Sequence, residues 1–276
     1  GLSVFDGQDW TTYTTADGLT HNKVNALAVD AKGNLWAGAF NGLNQFDGQR
    51  WISHALPAEL GSYEITALAI DQQGGLWVGN QAGVAQFDGS TWRFYRQAGD
   101  EVYAIAVDDA GALWVGGRKG VRQYTGQSWR SYSPSQALMT DEVRAIAVDP
   151  AGRKWFASWG GGLGELDGEV WRAYRTNDGP ASNLVRAITI DQTGKLWFGA
   201  DTPGCRLSAI GGLCLSQGGG VTSFDGRRWT TYTTADGLVD NRAQQLVVDQ
   251  AGHLWAGSAY GDLDSGTLSE FDGQRW

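Results

Sequence analysis

A repeated spacing of aspartate, glycine and tryptophan constrains this sequence more than any other feature. Six tryptophans each follow an aspartate by six residues and a glycine by three. These triplets are Asp30-Gly33-Trp36, Asp71-Gly74-Trp77, Asp108-Gly111-Trp114, Asp149-Gly152-Trp155, Asp191-Gly194-Trp197 and Asp249-Gly252-Trp255. A period of about 40 residues predicts one structural unit repeated along the chain, each unit burying its apolar surface against its neighbours.

Seven further tryptophans form a second series, in which a glycine lies three residues earlier, most often as Phe-Asp-Gly-x-x-Trp. They are Trp10, Trp51, Trp92, Trp129, Trp171, Trp229 and Trp276. The two series alternate along the chain, so a full repeat contains one tryptophan of each kind. Of the 14 tryptophans, only Trp159 lies outside both series.

Within one repeat the sequence marks four short strands. An apolar run at 24–30 alternates small with large side chains, and turn residues separate it from runs at 35–39, 43–46 and 50–54. Turns at such short intervals predict antiparallel strands, and no segment keeps the spacing of an amphipathic helix. Four strands in about 41 residues are typical of a propeller blade. We therefore predict an all-β propeller of four-stranded antiparallel blades with almost no helix.

The number of blades follows from counting the two tryptophan patterns. Six inner strand pairs carry Asp-x-x-Gly-x-x-Trp and seven outer pairs carry Gly-x-x-Trp, so one outer pair, at 1–14 or 267–276, is in excess. We predict six blades in a single domain spanning 1–276, with an insertion at 200–219 in the fifth blade; seven blades is the alternative. The excess pair is explained either by ring closure, with the N-terminal outer strand completing the last blade, or by a longer parent array.

The recurring aspartates look like candidates for catalysis, but their six-fold repetition favours a structural role. An aspartate at the start of a turn accepts hydrogen bonds from backbone N–H groups, and the glycine three residues later can take a positive φ. We expect these aspartates to form the turns between the first and second strands.

The repeat resembles a known family. The segments Val-Asn-Ala-Leu-Ala-Val-Asp-Ala-Lys-Gly-Asn-Leu-Trp-Ala-Gly (24–38) and Phe-Asp-Gly-Arg-Arg-Trp-Thr-Thr-Tyr-Thr-Thr-Ala-Asp-Gly-Leu (224–238) are similar to bacterial two-component regulator propeller repeats. The resemblance implies an extracytoplasmic sensor or interaction module, often found beside signalling domains. The chain itself shows no kinase, phosphoacceptor or helical output segment.

Composition excludes some partners. The formal net charge is −9, and an acidic surface repels phosphate backbones, so we expect no nucleic-acid partner. The stretch 207–224 has no charged residue, but its glycines and serines make it a poor membrane span. No charged segment followed by an apolar one opens the chain, so we expect any export signal to have been removed or never present.

Ligand binding is expected where loops vary on a constant scaffold. In a propeller the loops between strands two and three, and those between blades, share one face around the channel mouth. The strand position eleven residues before each repeat tryptophan is polar or amphipathic throughout, which predicts either a ligand site or a hydrated channel lining. The candidate residues are Asn25, Thr66, Tyr103, Arg144, Arg186 and Gln244 in the strands, with Tyr63, Arg118, Trp159 and Tyr260 in the loops.

Trp159 suggests a second functional class. It lies in Ser-Trp-Gly-Gly-Gly, where an exposed indole could stack on a sugar ring or an apolar ligand, or could cap the edge of its own blade. A carbohydrate-binding propeller is therefore the alternative to a sensory or protein-interaction module. We expect the ligand to be a small molecule, a glycan or a protein, and we predict no cofactor.

Catalysis has little support in the sequence. The three histidines, His21, His54 and His253, form no recognisable triad or metal motif. Propeller lyases that open cyclic esters are a precedent for an enzyme on this scaffold, and Glu64 with Glu101 is the carboxylate pair that could serve. We predict a non-catalytic module, with a lyase or hydrolase as the second alternative.

The longest insertion, 200–219, contains a candidate disulfide. Cys205 and Cys214 are the only cysteines. They lie nine positions apart in one loop, with Gly211-Gly212 between them. This spacing predicts a disulfide, and with it an oxidising compartment, extracellular or periplasmic.

Elsewhere, Asp262 and Asp264 have the spacing of the start of a calcium loop, but the later ligands are missing. We expect a solvated acidic loop there and no metal.

Overall fold

The computed structural model describes residues 1–40, 42–61, 64–96, 101–132, 142–201, 219–259 and 266–276. Within these ranges the helical segments are single 3-10 turns at Thr15–Asp17, Ala58–Leu60 and Thr234–Asp236. None of them is long or apolar enough to cross a membrane. The prediction that helix is almost absent is confirmed. The chain divides into two compact units, Gly1–Tyr132 and Ser133–Trp276.

The first unit contains a two-stranded hairpin followed by three four-stranded sheets. The hairpin pairs β1 (Leu2–Phe5) with β2 (Trp10–Tyr13). The first sheet contains β3 (Val24–Val29), β4 (Leu35–Ala39), β5 (Gly42–Phe46) and β6 (Trp51–His54). The second contains β7 (Ile65–Ile70), β8 (Leu76–Asn80), β9 (Gly83–Phe87) and β10 (Trp92–Tyr95). The third contains β11 (Val102–Val107), β12 (Leu113–Gly117), β13 (Gly120–Tyr124) and β14 (Trp129–Tyr132).

The second unit contains two four-stranded sheets and one sheet with three described strands. The fourth sheet contains β15 (Val143–Val148), β16 (Lys154–Ser158), β17 (Gly162–Asp167) and β18 (Val170–Tyr174). The fifth contains β19 (Val185–Ile190), β20 (Leu196–Ala200), β21 (Gly220–Phe224) and β22 (Trp229–Tyr232). The sixth contains β23 (Gln245–Val248), β24 (Leu254–Ala259) and β25 (Gly266–Phe271).

Strand order within every sheet follows the chain, and every pairing is antiparallel. Each of the six inner pairs predicted from the tryptophan pattern opens a sheet of its own, so the chain is an all-β propeller with six blades, as predicted.

A side-chain hydrogen bond closes the turn between the first two strands of each blade. The indole Nε1 of every repeat tryptophan donates to Oδ2 of the aspartate six residues earlier, at 2.8 to 3.1 Å. In the third blade, Oδ1 of Asp108 also accepts from the backbone N–H groups of Ala110 and Ala112, and Gly111 takes φ +79°. The aspartates therefore form turns, as predicted. Each also accepts a hydrogen bond from the indole N–H of its tryptophan, a contact that was not predicted from the spacing.

Neighbouring blades pack through the large residues of each first strand. Leu68 and Ile70 of β7 pack against the cluster that contains Trp36 of the preceding blade, and Ile188 and Ile190 of β19 pack in the same way against the cluster of Trp155. Gly38 in β4, the second strand of the first blade, leaves room for the first strand of the second blade: a Cβ on Gly38 would lie 2.4 Å from a methyl carbon of Ile65. Interdigitated cores of this kind hold the strand ends, and the loops on them, in fixed positions.

Candidate functional site

Three of the predicted ligand-facing side chains meet at one end of the fourth and fifth blades. Arg144 and Arg186 are each the second residue of their strands, β15 and β19, and Trp159 directly follows β16. The guanidinium carbon of Arg186 lies 4.3 Å from the centroid of the Trp159 ring, and that of Arg144 lies 6.0 Å from it. Both distances fall in the range of a cation–π contact. We call these three residues the Arg-Trp-Arg cluster.

The backbone around Trp159 explains why the indole lies there. The N–H of Trp159 donates to the carbonyl of Glu142 at 2.9 Å, and Trp159 forms an isolated antiparallel bridge with Leu184 of the next blade. Gly160 and Gly162, both at positive φ, donate to the carbonyl of Asn183. The loop is thus attached to the neighbouring blade, and Trp159 is half-buried where the sequence suggested an exposed ring.

Two carboxylates accompany the two guanidiniums. Nε of Arg186 lies 3.1 Å from Oδ2 of Asp201, which directly follows β20, and Arg144 is paired with Glu142. The pKa of the Arg186 guanidinium is lowered, mainly by burial. The positive charge of Arg144 also lowers this pKa, and the negative charge of Asp201 opposes the change. The formal charges of the two arginines and the two carboxylates cancel. The site therefore has no net charge, and it offers hydrogen-bond donors and acceptors beside an indole ring.

The equivalent positions in the first two blades make a different contact. Nδ2 of Asn25 donates to the carbonyl of Ile65 at 3.0 Å, and the hydroxyl of Thr66 donates to the carbonyl of Val102. Ile65 and Val102 are the first residues of the next blades' inner strands. Asn25 and Thr66 therefore connect adjacent blades, whereas Arg144 and Arg186 converge on a tryptophan.

A second polar group lies in the third blade. Nη1 of Arg118 is 3.1 Å from both carboxylate oxygens of Glu101, and the hydroxyl of Tyr103 donates to the same carboxylate at 3.1 Å. Glu101 adopts φ +54°, the only positive φ outside glycine among the described residues. The structure thus brings together two predicted site residues, Tyr103 and Arg118, on one acidic side chain.

The remaining candidate site residues either make a backbone contact or lie outside the described residues. The backbone N–H of Gln244 donates to the carbonyl of Gly257, and its side chain is half-buried. Tyr63, Tyr260, Asp262, Asp264, Cys205 and Cys214 lie outside the described residues. Within the described ranges, no three histidine, cysteine, aspartate or glutamate side chains are grouped as metal ligands would be.

The carboxylates considered for acid–base chemistry are engaged in ion pairs. Glu64 lies 2.5 Å from Nζ of Lys23, and Glu101 is held by Arg118. Nδ1 of His253 also lies 2.6 Å from Oε1 of Glu270, a contact that no sequence motif indicated.

The His253–Glu270 contact has an equivalent in the fourth blade, at the same positions of the repeat. His253 lies four residues after Asp249, in the turn between β23 and β24. The same position in the fourth blade is Arg153, which contacts Glu165 on the third strand at 3.3 Å. Glu165 and Glu270 each pair in register with the repeat tryptophan of their blade. The histidine and glutamate therefore occupy positions that another blade uses to brace its turn.

The comparisons with known proteins agree with the resemblance seen in the sequence. The family model "Two component regulator propeller" matches residues 18–41 and 59–82. These two segments are thus similar to two-component regulator propeller repeats, which confirms the resemblance. No curated protein sequence matches the chain.

Solved structures with the same fold come from several functional classes. The extracellular domain of a putative hybrid two-component system from B. thetaiotaomicron is similar with a TM-score of 0.76 and 19% identity, over 93% of this chain and 35% of that one. Virginiamycin B lyase from Staphylococcus aureus is similar with a TM-score of 0.64 and 13% identity, over 91% and 85%. A surface component of the type-IX secretion system of Porphyromonas gingivalis has a TM-score of 0.58 and 16% identity, over 91% and 41%.

At sequence identities of 13 to 19%, the similarity to these structures shows a shared fold alone. The present chain spans well under half of the sensor-system extracellular domains that it matches, with 35 to 39% of their length covered.

Proposed function

We propose that this chain is a non-catalytic, extracytoplasmic sensory propeller that binds a polar ligand at the Arg-Trp-Arg cluster. The observation that carries the proposal is the convergence of Arg144 and Arg186 on Trp159. In the first two blades the equivalent side chains serve the contact between blades, so the fourth and fifth blades depart from the repeat at this point.

The chemistry of the cluster indicates the kind of ligand. Arginine forks and carboxylates recognise hydroxyl, amide and carboxylate groups by directional hydrogen bonds, and the indole adds apolar area beside them. Because Glu142 and Asp201 offset the arginine charges, a polar ligand gains hydrogen bonds without requiring a strong charge of its own. A carbohydrate fits this description, as does a short peptide.

The sensory and extracytoplasmic parts of the proposal are supported by the matched repeats and by the sensor-system extracellular domains that share the fold. An enzymatic role has weaker support. Although lyases share the fold, the His253–Glu270 pair braces a turn and Glu64 and Glu101 are ion-paired.

The proposal is tested by thermal shift against a panel of neutral oligosaccharides, uronate-containing oligosaccharides and short peptides. We expect at least one class to raise the melting temperature of the wild type, and the shift to disappear in Arg186→Gln. Arg275→Gln is the matched control, since Arg275 is also paired with an aspartate but lies in the turn after β25. If no class produces a shift that depends on Arg186, the proposal is wrong.

A further inference from the structure

The first blade places an aromatic side chain beside a cation at the position that Trp159 occupies in the fourth blade. Phe40 directly follows β4, as Trp159 directly follows β16. The backbone N–H of Phe40 donates to the carbonyl of Lys23, directly before β3, at 3.0 Å. The N–H of Trp159 makes the same bond to Glu142, directly before β15, at 2.9 Å. The two aromatic residues therefore occupy the same place on the same backbone framework.

Packing of the repeat does not explain the phenyl group of Phe40. The other four blades have a polar residue or alanine at this position: Gln81, Arg118, Asp201 and Ala259. Phe40 itself is 42% exposed, so its ring contributes little to the core of the blade. An aromatic ring that the fold does not need, in a loop on a rigid scaffold, is a candidate for ligand contact.

Polar side chains of the first two blades lie against this ring. Nζ of Lys23 lies 5.3 Å from the centroid of the Phe40 ring, within the range of a cation–π contact. The centroid of the His21 imidazole lies 5.2 Å from the same point. Nζ of Lys23 also lies 2.5 Å from Oε1 of Glu64, directly before β7 of the second blade. We call His21, Lys23, Phe40 and Glu64 the Phe40 cluster; all four residues belong to the first unit.

The Phe40 cluster contains both donors and acceptors of hydrogen bonds. The backbone N–H of Lys23 donates to Nδ1 of His21 at 2.9 Å, so Nε2 carries the hydrogen in the neutral imidazole and is a donor. The ammonium of Lys23 is a further donor, and the carboxylate of Glu64 is an acceptor. Because the formal charges of Lys23 and Glu64 cancel, the cluster does not favour a ligand with a net charge.

This combination matches the chemistry of a sugar. A pyranose ring carries C–H groups on its faces, which pack against an aromatic ring, and hydroxyl groups around its edge, which both donate and accept hydrogen bonds. We infer that the Phe40 cluster is a second binding site, which takes one ring of a neutral oligosaccharide on the exposed part of Phe40. The site is made of residues of the first unit, so it does not depend on ligand binding at the Arg-Trp-Arg cluster.

The direct test follows the ring signal of Phe40 in a ¹H–¹³C spectrum of the full chain labelled with ¹³C-phenylalanine, with Phe40→Leu used for assignment. Maltotriose, cellotriose and xylotriose are titrated in turn. We expect at least one of these sugars to move the Phe40 signal saturably, in the wild type and in Arg186→Gln alike. The Phe94 signal should stay in place. The Phe94 ring also lies beside an arginine, with the guanidinium carbon of Arg96 5.8 Å away, but it is on the outer strand β10.

Calorimetry in the Arg186→Gln background measures the contribution of the ring, because binding at the Arg-Trp-Arg cluster is removed there. Phe40→Leu keeps an apolar side chain and loses the aromatic face, so it should bind the sugar about tenfold more weakly. Phe40→Tyr keeps the aromatic face and should bind nearly as tightly as the parent. Phe94→Leu is the matched control and should bind as tightly as the parent. Circular dichroism checks that each variant folds.

Several results would overturn the inference. One is a Phe40 signal that none of the three sugars moves, and another is equal binding of the sugar to Phe40→Leu and its parent. A movement of the Phe40 signal that is lost in Arg186→Gln would place the sugar at the Arg-Trp-Arg cluster instead. A Phe40 signal that moves with tri-alanine as far as with the sugars would contradict a site for sugars.

Discussion

Nε1 of Trp114 donates a 2.9 Å hydrogen bond to Oδ2 of Asp108, and both residues are buried, with 2% and 5% of their surfaces exposed. The same bond recurs in all six blades. It joins the end of the first strand to the second strand and satisfies an indole N–H that would otherwise be buried without a partner. This bond explains why aspartate and tryptophan recur together at a constant spacing.

Removal of Asp108 should destabilise the first unit. Asp108→Ala leaves the Trp114 N–H and two backbone N–H groups without their acceptor, and each unmet buried donor costs about 1–3 kcal/mol. We expect the free energy of unfolding, measured by denaturant titration, to fall by at least about 2 kcal/mol. Asp6→Ala, in an exposed turn of the same unit, is the control and should lower the free energy of unfolding much less. Equal losses would show that the Trp114 bond contributes nothing.

The same bonds predict loss of stability in acid. The hydrogen bond from Trp255 holds the pKa of Asp249 below its ordinary value. Burial raises the pKa of Asp191, but hydrogen bonds from Thr193 and Trp197 outweigh it and leave that pKa lowered. A carboxyl with a lowered folded pKa binds fewer protons when folded, so its stabilisation is complete above the unfolded value of about 3.9 and is lost as the pH falls below it.

Denaturant titrations between pH 6 and pH 2.5 measure this effect. The unfolding free energy should be level down to about pH 5 and fall below about pH 4. Asp249→Asn should show a smaller fall over the same interval, because one titrating group is gone. A wild-type stability that stays level or rises toward pH 2.5 would contradict the assignment.

Periodicity predicted the strands, the turns and the number of blades, because each depends on local spacing. It did not predict the bond between Trp114 and Asp108, although their fixed separation was a usable signal. Arg144 and Arg186 were predicted to share one face from their equivalent positions. Their convergence on Trp159 was not predicted, because it depends on how the irregular loop after β16 bonds to the neighbouring blade.

The two classes of tryptophan should differ in their contribution to stability. Trp114→Ala removes a fully buried aromatic side chain and should cost about 3–5 kcal/mol. Trp159→Ala removes a half-buried ring that lies against Arg186, and we expect a loss of under about 2 kcal/mol. Denaturant unfolding of the two variants tests the difference, and similar losses would remove the distinction between repeat and loop tryptophans.

The disulfide between Cys205 and Cys214 stays a prediction from the sequence. Closing a loop of this length should stabilise the protein by about 2.5 kcal/mol on the chain-entropy model. Intact-mass analysis after alkylation should show no label on the unreduced protein and two labels after reduction. Two labels without reductant would exclude the bridge.

Ligand binding at the Arg-Trp-Arg cluster is tested most directly by the indole N–H signals in a ¹H–¹⁵N correlation spectrum, with Trp159→Phe used to assign the Trp159 signal. Neutral oligosaccharides, uronate-containing oligosaccharides and short peptides are titrated in turn. We predict that at least one class moves the Trp159 signal while the Trp114 signal stays in place, and that Arg186→Gln abolishes the movement whereas Arg275→Gln preserves it. A Trp159 signal that no class moves, or that moves equally in Arg186→Gln, would contradict the account.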